Sequence, residues 1–253
     1  MTGVGVLDGK RILVVGASSG IGKALAVRAV QAGATAVLTA RRGDALEATV
    51  EEAGGGTIIT ADVCSASDRA VLVAAVAETL GSIDLVLDTV GYAELRDLAE
   101  TDAELWHTTF DVNVVAFNEL VRSLLPLLAP DAVVAVLSSE TVTQPRAGLA
   151  AYGASKAALE ASIRGWRVEH PEVRFSCVTV GATTPTEFGN RFDMGELGRL
   201  FTSWARHGLT QERYMDAAEL ADVVVSLLGA ALANPGVGVE HVVLRSPSPV
   251  TGG

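Results

Sequence analysis

The sequence predicts an α/β fold, a doubly wound parallel sheet of about seven strands with helices on both faces. Short β-prone runs alternate with longer helical patterns along the chain. Of its 253 residues 49% are apolar and 19% charged, a composition that suits strands buried on both sides.

Arg11 to Val15 is the first expected strand, and it runs into a glycine-rich turn and a helix from Ile21 to Ala32. A second strand, Thr35 to Ala40, stops at Arg41-Arg42 and is followed by a helix from Asp44 to Ala53, with Gly54-Gly55-Gly56 as a loop. Thr57 to Thr60 is the third strand, Ala66 to Leu80 the next helix, and Asp84 to Asp88 the fourth strand. The pattern Leu105 to Leu128 reads as one long helix with Pro126 near its end, leading to a fifth strand at Val133 to Ser138. Then come a helix from Tyr152 to Glu169, a strand from Arg174 to Val180, a helix from Ala217 to Leu232 and a last strand from His241 to Leu244.

Residues 183–210 break this rhythm, with four glycines among Phe188, Phe192, Met194, Leu197, Leu200, Phe201 and Trp204. They read either as a lid over an apolar pocket or as ordinary packing of a surface helix. No linker or repeat is visible, so residues 1–253 are expected to form one domain.

A net charge of −11 argues against nucleic acid as a partner, since such binding rests on basic surface. Cys64 and Cys177 have neither metal-ligand spacing nor the density of a disulfide framework. His107, His170, His207 and His241 are scattered, and no metal site is expected. Met1 to Lys10 lacks a signal-peptide core and no apolar run reaches membrane-spanning length, so the expected setting is cytoplasmic, away from membrane.

The turn Val14-Val15-Gly16-Ala17-Ser18-Ser19-Gly20-Ile21-Gly22 lies between a strand and a helix. Gly16 permits the tight turn, Gly20 lets backbone amides approach a pyrophosphate, and Gly22 allows close helix–sheet packing at a helix N-terminus that favours negative charge. Ser18, Ser19 and Ile21 complete this expected cofactor-binding stretch. At the end of the second strand Ala40 stands where an acidic residue would accept the ribose hydroxyls of NADH. Arg41 and Arg42 would instead neutralise a 2′-phosphate, so NADPH/NADP+ is favoured over NADH. Tyr152 and Lys156, four residues apart, share a helix face, which places an ammonium near the phenol and favours its ionised form. Ser138-Ser139 closes the fifth strand, where ligands bind in open α/β sheets, although serine there also serves plain turns.

In order and spacing, from Lys10 to about Leu244, these pieces resemble the short-chain dehydrogenase/reductase family, with its Rossmann-like fold. The resemblance selects Ser139 for binding the substrate oxygen and Tyr152 as proton donor and acceptor. It implies that Lys156 also holds the nicotinamide ribose, and that Asn113 bends its helix and extends a proton relay. It further implies adenine contacts by Asp62 and Val63, where a helix-capping aspartate is the alternative, and a cofactor contact at Gly91. Thr184 or Thr186 would bind the carboxamide, with Thr186-Glu187-Phe188 closer to the family pattern. The expected activity is hydride transfer with a small carbonyl or alcohol substrate, probed against a rival reading as a dinucleotide-binding sensor or scaffold, and the expected assembly is a homodimer or homotetramer. Three segments depart from the family pattern: Val15 replaces threonine, Asp88-Thr89-Val90 precedes Gly91 in place of Asn-Asn-Ala, and Val180 replaces proline.

Overall fold

The computed structural model describes residues 5–190 and 192–247 and the backbone of 250–251; Met1 to Val4, and Arg191 in the expected lid, lie outside the described residues. In chain order the elements are β1 (Arg11–Val15), α1 (Gly20–Gln31), β2 (Thr35–Ala40), α2 (Gly43–Ala53), β3 (Thr57–Thr60), α3 (Ala66–Leu80), β4 (Ile83–Asp88), α4 (Ala103–Phe110), α5 (Ala116–Leu124), β5 (Leu128–Ser139), α6 (Ala150–Glu169), β6 (Arg174–Val180), β7 (Thr183–Thr184), α7 (Met194–Arg206), β8 (Thr210–Gln211), β9 (Met215–Asp216), α8 (Ala217–Ala233), β10 (His241–Leu244) and β11 (Val250–Thr251).

Seven strands form one sheet in the order β10-β6-β5-β4-β1-β2-β3, and every pairing in it is parallel. The order reverses direction between β1 and β4, which makes this the Rossmann-like doubly wound fold and opens a crevice at the carboxyl ends of those two strands. Both faces are covered. One apolar cluster joins Ile12, Val14, Leu25, Leu38 and Leu228; the other joins Leu13, Val37, Phe117, Leu159 and Phe175. Alternate residues of β1 thus enter opposite cores, the period of two that a doubly covered strand requires.

Two local departures from the sequence expectation matter. The run Leu105 to Leu128 is not one helix: α4 passes into a wider π turn over Asp111–Val115, then α5, then a 3₁₀ turn over Leu125–Leu127, and Leu128 already belongs to β5. The π turn is centred on buried Asn113, whose side chain supplies three hydrogen bonds outside the helix ladder, and Pro126 begins the closing turn, where a missing N–H costs nothing. The stretch 183–210 is likewise more than a helix. Thr183 and Thr184 of β7 pair with Met215 and Asp216 of β9, and α7 lies between them with Leu200 and Trp204 turned inward. No helix of the described residues is long and apolar enough to cross a membrane.

Candidate active site

The glycine turn is held by sterics as much as by φ. A Cβ at Gly22 would overlap the Gly16 carbonyl oxygen and the Thr89 hydroxyl, and Gly16 itself has φ +85°. Thr89 Oγ1 donates to the Val15 carbonyl at 2.8 Å, so a hydroxyl from the end of β4 reaches the position where the family's threonine is missing. Ser19 is the N-cap of α1 but makes no side-chain cap bond, and the first turn carries no acidic residue. The helix therefore presents its first backbone N–H groups with neither a side-chain cap nor an acidic residue of its own first turn against them.

Arg42 begins α2 beside this turn. Its guanidinium holds Glu187 at 2.6 and 3.2 Å and reaches Ser18 Oγ at 3.3 Å, while Glu187 also accepts a hydrogen bond from Ser19. Thr186 stands against the turn, its Cα 3.4 Å from where a Cβ of Gly20 would be, whereas the Thr184 backbone is committed to β9. Arg41 is exposed and lies within electrostatic range of Cys64. Asp62 Oδ1 accepts the Cys64 N–H in a local turn; the cap of α3 is Ser65, not Asp62. Val63 is buried, and its carbonyl is held by Arg69 at 2.7 Å.

Across the crevice, Tyr152 and Lys156 project from α6 and Ser139 closes β5. All three are buried, Tyr152 at 9% and Ser139 at 8% exposure, Lys156 at 2%. Ser139 Oγ takes hydrogen bonds from Thr141 N at 3.2 Å and Thr141 Oγ1 at 2.9 Å, and it bonds the Tyr152 phenol. Lys156 Nζ donates to the Leu137 carbonyl at 2.9 Å and the Val90 carbonyl at 3.4 Å, beside Gly91, and stands 6.0 Å from the Tyr152 ring centroid. Asn113 Oδ1 accepts the Tyr92 N–H at 2.7 Å, while Nδ2 donates to the Tyr92 carbonyl and to Ser155 Oγ, both at 2.9 Å. Asn113 thus anchors the Gly91-Tyr92 strand end to α6 rather than touching Lys156.

Electrostatics here are governed by burial. The Tyr152 phenol is pushed up to about 12 by desolvation, with the Ser139 hydrogen bond acting against it, and Lys156 is pushed down to about 8 by desolvation, opposed chiefly by Asp88. Four-residue spacing alone predicts that Lys156 favours the phenolate; with Nζ drawn to two carbonyls, burial of the phenol outweighs it.

In the sequence Asp88 stands out only as a departure from the family pattern. Its carboxylate, 3% exposed, accepts the Val90 N–H at 2.9 Å, and burial pushes it from 3.8 up to about 6. A raised carboxyl binds its proton more tightly folded than unfolded, so stability falls as pH rises from about 4 through 6 and the loss persists above. Asp88→Asn keeps the Val90 acceptor and is expected to raise unfolding free energy at pH 7.5 by up to about 3 kcal/mol, with little effect below pH 4. Denaturant melts at both pH values check this, and equal effects at the two would refute it.

Two further contacts are not visible in the sequence: that of Glu187 with Arg42, and that of Phe188, already among the apolar residues of the expected lid, with Tyr152. Phe188 packs on Tyr152 at 5.1 Å between ring centroids and on Phe192 at 5.5 Å. Around the phenol a small apolar cluster gathers Ala93, Leu95, Leu149, Leu200 and Trp204 from three separate stretches of chain.

A family model described as short chain dehydrogenase matches residues 10–196. The chain belongs to the short-chain dehydrogenase family. This short-chain dehydrogenase is 31% identical over 192 residues to a 3beta-hydroxysteroid dehydrogenase of Mediterraneibacter gnavus, a match covering 72% of this chain and 69% of that one. It is 32% identical over 164 residues to the oxidoreductase YvrD of Bacillus subtilis, covering 63% of this chain but only 62% of that protein, less than two thirds of its length. Among solved structures it resembles an alcohol dehydrogenase of the archaeon Thermococcus sibiricus complexed with 5-hydroxy-NADP, with TM-score 0.79, 25% identity, and coverage of 94% of this chain and 97% of that one.

Proposed function

We propose that this short-chain dehydrogenase is an NADP(H)-dependent oxidoreductase acting on a carbonyl or alcohol carbon of a small, apolar substrate. The observation that carries the proposal is the convergence of Ser139, Tyr152 and Lys156, buried together at the carboxyl edge of the sheet beside the strand-order reversal. A dinucleotide fits the residues present: Gly16 and Gly22 leave no room for a Cβ and Gly20 holds φ +53°, α1 offers N–H groups without a side-chain cap, and Arg42 with Ser18 would supply donors for a 2′-phosphate in exchange for the Glu187 carboxylate. Arg41, Asp62, Val63, Gly91 and Thr186 flank that path.

A reduced nicotinamide bound there supplies the hydride. Ser139 donates a hydrogen bond to the substrate oxygen, and Tyr152 passes its phenolic proton to the same oxygen, or accepts one in reverse. Lys156 stabilises the phenolate left behind and holds the ribose hydroxyls, while Asn113 fixes the chain end that carries Gly91. The cluster of Leu95, Leu149, Leu200, Trp204 and Phe188 around the phenol supports an apolar substrate, with residues 183–210 as its cover.

Oxidation of NADPH against ketones, aldehydes and ketoacyl thioesters tests the reading; cofactor binding without turnover of any of them would favour the sensor. For the cofactor, Arg42→Ala is expected to weaken NADPH binding by about 10- to 100-fold, from one lost charge-assisted contact, with NADH little changed. Fluorescence titration of both cofactors decides, and equal losses for the two would remove the 2′-phosphate role.

A further inference from the structure

We propose that Glu160, Cys177 and His241 bind a divalent zinc-class cation at the edge of the sheet. Among the described residues these three bring one ligand atom each to within 4.8 Å of one another. They come from three elements. His241 on β10 and Cys177 on β6 are direct partners in the parallel register, so their side chains leave the sheet on the same face, and Glu160 reaches that face from α6. Nothing in their sequence spacing suggests a metal site, because the register of two parallel strands and the docking of a helix create it.

The donor chemistry selects the ion. One imidazole nitrogen, one thiolate and one carboxylate oxygen suit zinc, whereas magnesium and calcium take oxygen ligands and leave a thiolate unused. Zinc bonds of about 2.0–2.3 Å in tetrahedral geometry place ligand atoms roughly 3.3–3.8 Å apart. The observed spread is about an ångström wider. Closing it would take a turn of exposed His241 and half-buried Glu160 toward buried Cys177.

Supporting contacts are in place. Ser138 Oγ donates to Glu160 Oε1 at 2.6 Å and orients the carboxylate. Thr179 Oγ1 lies 2.7 Å from His241 Nε2 and 3.5 Å from Glu160 Oε1, so ion entry exchanges those contacts for coordination bonds. The exposed His241 leaves an entry path and room for water as the fourth ligand. On binding, the Cys177 thiol gives its proton to solvent, and thiolate and carboxylate together balance the two positive charges. The bound ion would pin edge strand β10 to β6 and α6. The proposal is independent of the oxidoreductase reading.

The test uses the full chain stripped of metal with a chelator. Added Co²⁺ is expected to bind at one per chain, with a near-ultraviolet thiolate charge-transfer band and the visible bands of a tetrahedral site. Zn²⁺ should displace it and raise Tm. Cys177→Ser should abolish the charge-transfer band, and His241→Ala should weaken Zn²⁺ at least tenfold. Circular dichroism confirms that each variant is folded; His241→Ala, on an exposed residue, keeps the test open if Cys177→Ser fails to fold. Absence of the charge-transfer band overturns the proposal, as does undiminished affinity in His241→Ala. Loss of the band in Cys64→Ser would move the thiolate to the exposed cysteine and overturn it equally.

Discussion

Tyr152→Phe is expected to lower kcat by about 10²- to 10⁴-fold on the best substrate of the carbonyl panel, with cofactor affinity changed far less. The ring is buried at 9% exposure and packs on Phe188, and phenylalanine keeps both the shape and that contact. Only the hydroxyl, with its Ser139 bond, disappears. The variant therefore separates proton transfer from fold. Direction enters through pH. With the phenol pushed up to about 12, Tyr152 holds its proton at neutral pH and is ready to act as the acid in reduction. Alcohol oxidation needs the phenolate, so its rate is expected to climb steadily with pH between 7 and 10, while reduction stays flat or falls. Retention of more than half the wild-type kcat in Tyr152→Phe would remove Tyr152 from the chemistry.

The sheet was legible because its signals are local. Apart from β5, whose first five residues include Pro130 and Asp131 and escaped the pattern, each strand of the main sheet is a short β-prone run bounded by turn residues, and the alternation with helices fixes parallel topology almost by itself. The pairing of Tyr152 with Lys156 was legible for the same reason, since four residues make one helical turn. What escaped depends on contacts between distant positions. Nothing within Leu105 to Leu128 marks a π turn, because the turn exists to let Asn113 reach Tyr92 and Ser155, 21 and 42 residues away. Thr89 bonding the Val15 carbonyl is invisible to a motif that looks only at the residue before Gly16. In the sequence Glu187 is merely the neighbour of Thr186, and its meeting with Arg42 spans 145 positions. The phenol's electrostatics eluded the spacing argument because desolvation is a property of the packed core, not of the helix that carries the group.

The same kind of long-range contact makes Glu140 the position where a single substitution should harm the fold most. It follows Ser139 directly and is 3% exposed, with Arg146 Nη2 at 2.5 Å, Arg245 Nε at 3.1 Å and Gln211 Nε2 at 3.4 Å. Arg146 also donates to the Leu209 carbonyl, and Arg245 to Gln144. One carboxylate thereby ties the end of β5 to the loop before α6, to the chain after β10 and to β8 at the edge of the candidate lid. Gly181 belongs to the same arrangement, since a Cβ there would stand 3.1 Å from Glu140 Oε2. Glu140→Ala leaves the guanidinium of Arg146, only 11% exposed, without its counter-charge. Stranding a buried charge costs about 3–5 kcal/mol, far more than losing an exposed pair such as Arg42 with Glu187. Glu140→Gln keeps an acceptor but not the charge and should fall between the two. Because Ser139 is the adjacent residue, the alanine variant should also lose kcat at temperatures where it remains folded. Urea unfolding of the three proteins orders them; an alanine variant within about 1 kcal/mol of wild type would mean that the two arginines find solvent or other partners.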